Sequence, residues 1–253
     1  VLWEELAWPD VPGVLDEGHR MVLWPFGATE QHGPHLGMGT DTFIAQALCG
    51  EVSARTRVPV LPALPVGCSS GHSRKWPGTL SLSPRTLALV VEEAGEWLHA
   101  AGVRRLLMVN AHVTNAAPLR CGLEALRARF DDLLVAVVGT ATLSEQVRDA
   151  FFADGNDWHA NAAETSLILA LRPAACVPER MADADDPDRT GGLAFAHPVN
   201  RTSLNGVTGC PSRASAEGGR QLFARMADAL ETLVRSAAEE SPPLPHSFFN
   251  NTR

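Results

Sequence analysis

Three stretches of this chain place imidazoles beside carboxylates or amides. The first is Gly27-Ala28-Thr29-Glu30-Gln31-His32-Gly33-Pro34-His35-Leu36, with Asp41 shortly after. The second is Asn110-Ala111-His112-Val113-Thr114-Asn115, and the third runs from Asp157-Trp158-His159 to Glu164-Thr165. Imidazole nitrogen and carboxylate oxygen together suit zinc, manganese or iron. Several carboxylates in one set suit two ions, because a carboxylate can bridge them. Two metals about 3.5–4 Å apart generate hydroxide at neutral pH and polarise a carbonyl. Taken singly, each residue has a simpler reading. His32 reads as a loop histidine, Asp41 as a helix N-cap, and His112 as a donor to backbone in a turn. Glu164 reads as a first-turn carboxylate favoured by the helix dipole.

These residues need elements to hold them. Met21–Phe26 is a short apolar run and reads as a buried strand. Residues 42–53 carry apolar side chains at helical spacing, with Asp41 placed as their cap. Residues 58–66 (VPVLPALPV) are extended, but three prolines confine them to an edge or an irregular path. Ser83-Pro84 opens a strong helix that runs through Leu98, with Gly102 just past its end. Strands follow at 103–109 and 133–138, and helices at 115–130, 164–171 and 214–238. Pro187–Thr208, rich in Gly, Pro and Asn, reads as a long surface loop, and 241–253 as a mobile tail after a single domain over 1–240. Strands alternating with helices imply βαβ units and a mostly parallel sheet. Such sheets bind ligands beyond the carboxyl ends of their strands, where the first two His-bearing stretches fall.

The chain has 253 residues, enough to bury a core without staples. A net charge of −8 argues against a nucleic-acid partner, which needs a basic footprint. Five cysteines without a C-x-x-C pair give neither a disulfide framework nor a zinc ribbon, and fit a reducing cytoplasm. Residues 1–5 lack the basic and apolar regions of a signal peptide, and no apolar run approaches a membrane span.

The same segments resemble the creatininase (creatinine amidohydrolase) family. That family's Gly-x-Thr-Glu-Gln-His-Gly-Pro-His-Leu stretch stands here as Gly27–Leu36, followed by Asp41. Its Gly-x-Ser…His-x-x-Phe-Pro-Gly-Thr-Leu-Ser stretch appears as Gly67-Cys68-Ser69, His72 and Trp76–Ser81. Its Asn-Gly-His-Gly-Gly-Asn turn becomes Asn110–Asn115, and its His-Ala-Gly-x-x-Glu-Thr-Ser stretch becomes His159–Ser166. A late match covers Gly206–Pro211 and Ala214–Glu217.

The resemblance implies a three-layer α/β/α sandwich with a mostly parallel central sheet, often assembled as a homo-oligomeric hexamer. It implies two divalent metal ions (Zn, Mn or Fe) and hydrolysis of a small, possibly cyclic, amide, lactam or imide. Glu30, His32, Asp41 and His112 fall on metal ligands, with Asp41 bridging. Glu164 falls on the residue that completes the second metal's shell, and His159 on the general acid/base. Trp76 and Trp158 are candidates to line the substrate pocket, or else core aromatics. Creatininase itself carries a ligand glutamate where this chain has Thr114, which puts creatinine in doubt as substrate. Cys210 replaces a usual aspartate, a change with no evident reason. The family also holds a formamide deformylase and a peptidase, and these are the alternatives.

Two rival readings remain. Gly67-Cys68-Ser69-Ser70-Gly71 matches the G-x-S-x-G nucleophile elbow. That elbow needs a strand before it and a helix after it, and the flanking residues supply neither. The other rival is a binding or scaffold member with an emptied site, supported only by the altered turn at 111–114.

Overall fold

A computed structural model describes residues 1–244. The tail assigned to 241–253 lies outside the described residues from 245 onward. Three parallel strands lie side by side in the order β1 (Met21–Phe26), β2 (Arg105–Asn110) and β3 (Leu134–Gly139). The register pairs Met21 with Arg105 and Arg105 with Leu134, and ends with Phe26, Asn110 and Gly139 level. The proline-rich run continues the sheet beyond β1 as isolated parallel bridges, Leu23 to Val60 and Phe26 to Leu64. Its prolines lack the N–H groups a regular ladder needs.

Side chains alternate across the strands and so feed two cores. Met21, Leu23, Leu107 and Val109 face one way. They pack against α2 (Thr40–Thr56), α5 (Glu145–Phe152), α6 (Ala162–Leu171) and α8 (Ala216–Glu239). Val22, Trp24, Phe26, Leu106 and Met108 face the other way, onto α1 (Val11–Glu17), α3 (Pro84–Ala100) and α4 (Ala116–Arg129). This is the three-layer α/β/α arrangement. No helix among the described residues is long and apolar enough to cross a membrane.

The caps explain where several helices begin. Ser83, Ser144 and Ser215 each accept a backbone N–H of the first turn, and Asn161 accepts two, from Ala163 and Glu164. Asp41 does not cap α2. It is the helix's second residue, Gly39 occupies the cap position, and the Asp41 side chain turns elsewhere. The segment 187–208 is exposed over 191–198, as its composition implies, but its end is not. It contains the one-turn helix α7 (Val199–Thr202), and Val199, Thr202 and Ser203 are buried. The cause is Asp186, whose carboxylate accepts from Ser203 Oγ (2.9 Å), Leu204 N (2.8 Å) and Arg189 Nη2 (2.5 Å) and draws the loop inward.

α6 and α8 touch backbone to backbone. A Cβ on Gly219 would lie 1.8 Å from the Ser166 carbonyl oxygen, so only glycine permits the approach. Gly219→Ala is expected to destabilise the fold by about 1–3 kcal/mol through overpacking. A lowered denaturant midpoint at unchanged slope would show it; an unchanged midpoint would mean the helices can separate freely.

Candidate metal centre

The carboxyl ends of β1 and β2 release the first two His-bearing stretches side by side. Asn115 then ties the neighbouring loops together. Its Oδ1 accepts from Cys68 N (2.8 Å), while its Nδ2 donates to Gly27 O (3.0 Å) and Asn110 Oδ1 (3.2 Å). Asn110 grips the His112 backbone from both sides, donating to its carbonyl (2.7 Å) and accepting from its N–H (3.2 Å). The third stretch arrives from the far side. His159 pairs with Thr208 in an antiparallel bridge, and Ala160 takes a left-handed φ of 49°. That turn aims the Ala160 N–H at Glu164 Oε2, 2.6 Å away.

Glu30, His32, Asp41, His112 and Glu164 thus converge, and all five are buried. His32 Nε2 is 3.2 Å from Asp41 Oδ1 and 3.8 Å from Glu164 Oε1. His112 Nδ1 is 3.5 Å from Asp41 Oδ2, and His112 Nε2 is 3.2 Å from Glu30 Oε2. His159 Nδ1 lies 3.8 Å from Glu30 Oε1. Three ligand-sized groups result: Glu30 with His32 and Asp41, Glu30 with His72 and His159, and His32 with His159 and Glu164.

Burial lifts the Glu30 carboxyl to about 7, with His112 pulling against it and Asp41 adding to it. Burial likewise lifts Glu164 to about 7, opposed chiefly by His32. For His32 burial acts downward, but Asp41 and then the two glutamates raise it to about 10. Burial pushes the Asp41 carboxyl up, and His32 against it holds it below its ordinary value. Burial beside other imidazoles lowers His72 to about 3 and His159 well below the usual range.

The donors fit a cation. Both Glu30 oxygens and Asp41 Oδ2 are buried without a hydrogen-bond partner among the described residues. Leaving three carboxylate oxygens dry and unbonded is costly unless a positive charge faces them. The histidine tautomers agree. His32 Nδ1 donates to the Glu30 carbonyl at 3.2 Å, which assigns Nε2 to the cluster. His112 Nε2 donates to the Cys68 carbonyl at 2.9 Å, which leaves Nδ1 free toward Asp41. Thr114 Oγ1 lies 2.5 Å from the same Nε2 and reaches the Cys68 carbonyl too, so Thr114 backs His112 instead of facing the cluster.

That tautomer also weakens the serine reading. Ser69 Oγ is 3.4 Å from His112 Nε2, but this nitrogen already spends its proton on Cys68. Ser69 is followed by a single tight turn, Ser70–His72, and no helix.

A cavity of about 380 Å³ opens onto the cluster, lined by Asp41, His112, Glu164 and His159 together with Thr114 and Trp158. Trp158 is also packed against Phe151 and Phe152, so its lining and core roles coexist. Trp76 is not among the lining residues; Lys75 Nζ sits 4.7 Å from its ring. His72, quoted in a motif but given no role from sequence, lines the cavity as well. A separate hollow of about 180 Å³ lies against Arg105–Leu107 and Leu133–Ala136, and no imidazole or carboxylate cluster faces it.

A parallel α/β sheet bearing a buried imidazole–carboxylate cluster at its carboxyl end has the parts of a metal-assisted hydrolase. The chain belongs to the creatininase family, whose model, described as creatinine amidohydrolase, matches residues 4–234. It is 34% identical over 225 residues to a mycofactocin precursor peptide peptidase of Mycobacterium tuberculosis, covering 82% of this chain and 81% of that one. It is 30% identical to a creatinine amidohydrolase of Pseudomonas putida, covering 94% and 96% of the two chains. A solved mutant creatininase of Zn-Zn type superposes with a TM-score of 0.83 at 28% identity, over 94% of this chain and 98% of that one. The relatives are hydrolases by name, and the shared fold is the creatininase fold.

Proposed function

We propose that this chain is a metal-dependent amidohydrolase that cleaves a C–N bond of a small amide. The carrying observation is the set of unbonded, buried oxygens on Glu30 and Asp41, beside two imidazoles whose backbone hydrogen bonds leave one ring nitrogen turned toward them. Glu30, His32, Asp41, His112 and Glu164 would hold two divalent ions of zinc, manganese or iron type. Bound there, such ions polarise a carbonyl and lower the pKa of water. His159 donates from Nε2 to the Gln31 carbonyl at 2.8 Å, so its Nδ1 lone pair faces the cluster. At that atom it accepts a proton and returns it to the leaving nitrogen. Trp158 and Thr114 bound the substrate space. A cavity of about 380 Å³ admits a short peptide as well as a small lactam, and both relatives' substrate types belong in the same assay.

Protein purified without chelator is expected to carry close to two metal equivalents by plasma mass spectrometry. Exhaustive chelation should abolish hydrolysis across a panel of lactams, imides and short peptides, while phenylmethylsulfonyl fluoride should not. No metal after supplementation would overturn the proposal.

Metal uptake should also release protons, because ligands bind deprotonated. Near pH 7, His32 is protonated and Glu30 and Glu164 are each about half protonated, given values of about 10, 7 and 7. Release of about two protons is therefore expected near pH 7, falling to about one near pH 9. Calorimetric titrations in buffers of different ionisation enthalpy measure this. A release that rises with pH would contradict the assignment.

A further inference from the structure

We infer that His72 is a catalytic residue, a neutral hydrogen-bond donor whose Nε2–H binds the carbonyl oxygen of the substrate amide and the oxyanion that oxygen becomes. The inference rests on the amidohydrolase reading and gives a role in the chemistry to a residue that is counted in one ligand-sized group but not in the five-residue metal set.

Two backbone groups beside Gln31 have only one possible role each. Gly33 N–H can only donate, and it donates to Gln31 Oε1 at 2.9 Å. The Gly206 carbonyl can only accept, and it accepts from Gln31 Nε2 at 3.1 Å. Together they fix which end of the Gln31 amide is oxygen and which is nitrogen. Gln31 Nε2 also lies 3.0 Å from His72 Nδ1, so it donates to that nitrogen. His72 Nδ1 therefore carries the lone pair, and Nε2 carries the proton.

That Nε2–H makes no hydrogen bond in range among the described residues. Glu30 Oε1, the carboxylate oxygen paired with it, is 3.6 Å away, beyond hydrogen-bonding range. The ring is buried, yet it lines the cavity and lies against His159, with ring centroids 4.4 Å apart. A neutral imidazole held in one tautomer and aimed into the cavity is a preorganised donor of the kind that stabilises developing negative charge. The same geometry argues against His72 as a ligand, since a nitrogen bearing a proton has no lone pair for a cation. Gln31 is the positioning residue that sets this.

The test uses His72→Ala and His72→Gln in metal-loaded protein, together with ¹⁵N imidazole shifts of the metal-free parent. His72→Gln returns an N–H near the original Nε2. His72→Ala is expected to lower kcat by roughly 100- to 1000-fold with little change in KM. Metal content should match the parent, and His72→Gln should recover a large part of the loss. The shifts should show a pyridine-type Nδ1 and a pyrrole-type Nε2 for His72. The inference is overturned if His72→Ala loses metal along with rate, if it retains full rate, if His72→Gln is no better, or if the tautomer is reversed. A parent that holds two metals yet hydrolyses no amide in the panel would remove the amidohydrolase reading and this inference together. Any of the other failures removes the inference alone.

Discussion

Glu30→Gln is expected to give two changes of opposite sign. Metal content and hydrolysis should collapse, by more than the roughly 10- to 100-fold that loss of an outer partner of a metal site costs. The metal-free variant should nevertheless melt no lower than the metal-free parent. The reason is the environment of this carboxylate. Glu30 is 0% exposed, and neither oxygen has a hydrogen-bond partner among the described residues. A dry, unbonded carboxylate opposes folding unless a cation faces it, and a neutral amide of the same shape relieves that cost. Plasma mass spectrometry and calorimetry on the same preparations read both effects. A metal-free variant that melts well below its parent would show that the carboxylate holds the fold and is not reserved for an ion.

His159→Ala is expected to lower kcat by roughly 10²- to 10⁴-fold, the usual contribution of a positioned acid–base group. Metal content should stay at the parental level. His159 is the residue for which the geometry leaves two jobs open. Its Nδ1 is 3.8 Å from Glu30 Oε1 and belongs to a ligand-sized group with His32 and Glu164. A ligand would take the metal with it when removed; a proton carrier would not. Measuring kcat and metal stoichiometry on one sample decides between them, and joint loss would reassign His159 to the metal set.

Much of the scaffold was legible because it rests on local pattern. The strands at Met21–Phe26 and Leu134–Gly139, and the Ser83-capped helix, follow from apolar runs and cap chemistry that each segment carries itself. α1 and α5 were missed for the converse reason. They are seven and eight residues long, and α1 includes a proline and a glycine, so neither offers a sustained helical period. The Asp41 cap was misplaced because an acidic residue in the first turn looks the same in sequence as one at the cap. Only the positions of His32 and His112 show where its carboxylate turns.

The site was legible in proportion to how far each residue's role is local. His32 and Glu30 are two residues apart, and their geometry is set within one turn. His72 stands alone in a Gly- and Ser-rich loop, and the group that defines its proton lies 41 residues away, on Gln31. No spacing rule reaches that far. The same holds for Asp186, whose hold on Ser203 and Leu204 buries the end of a loop that is otherwise exposed.

The bond between Gln31 and the Gly206 carbonyl spans 175 positions of chain. The metal-type ligands are all supplied by residue 164, whereas the carbonyl that orients Gln31 comes later in synthesis. A nascent chain thus contains every ligand residue before the carbonyl that orients Gln31 has been added. Holding the ions still waits on the later chain, because Thr208 pairs with His159 and α8 closes the core over α6, so ion capacity and competence to react depend on the same C-terminal segment.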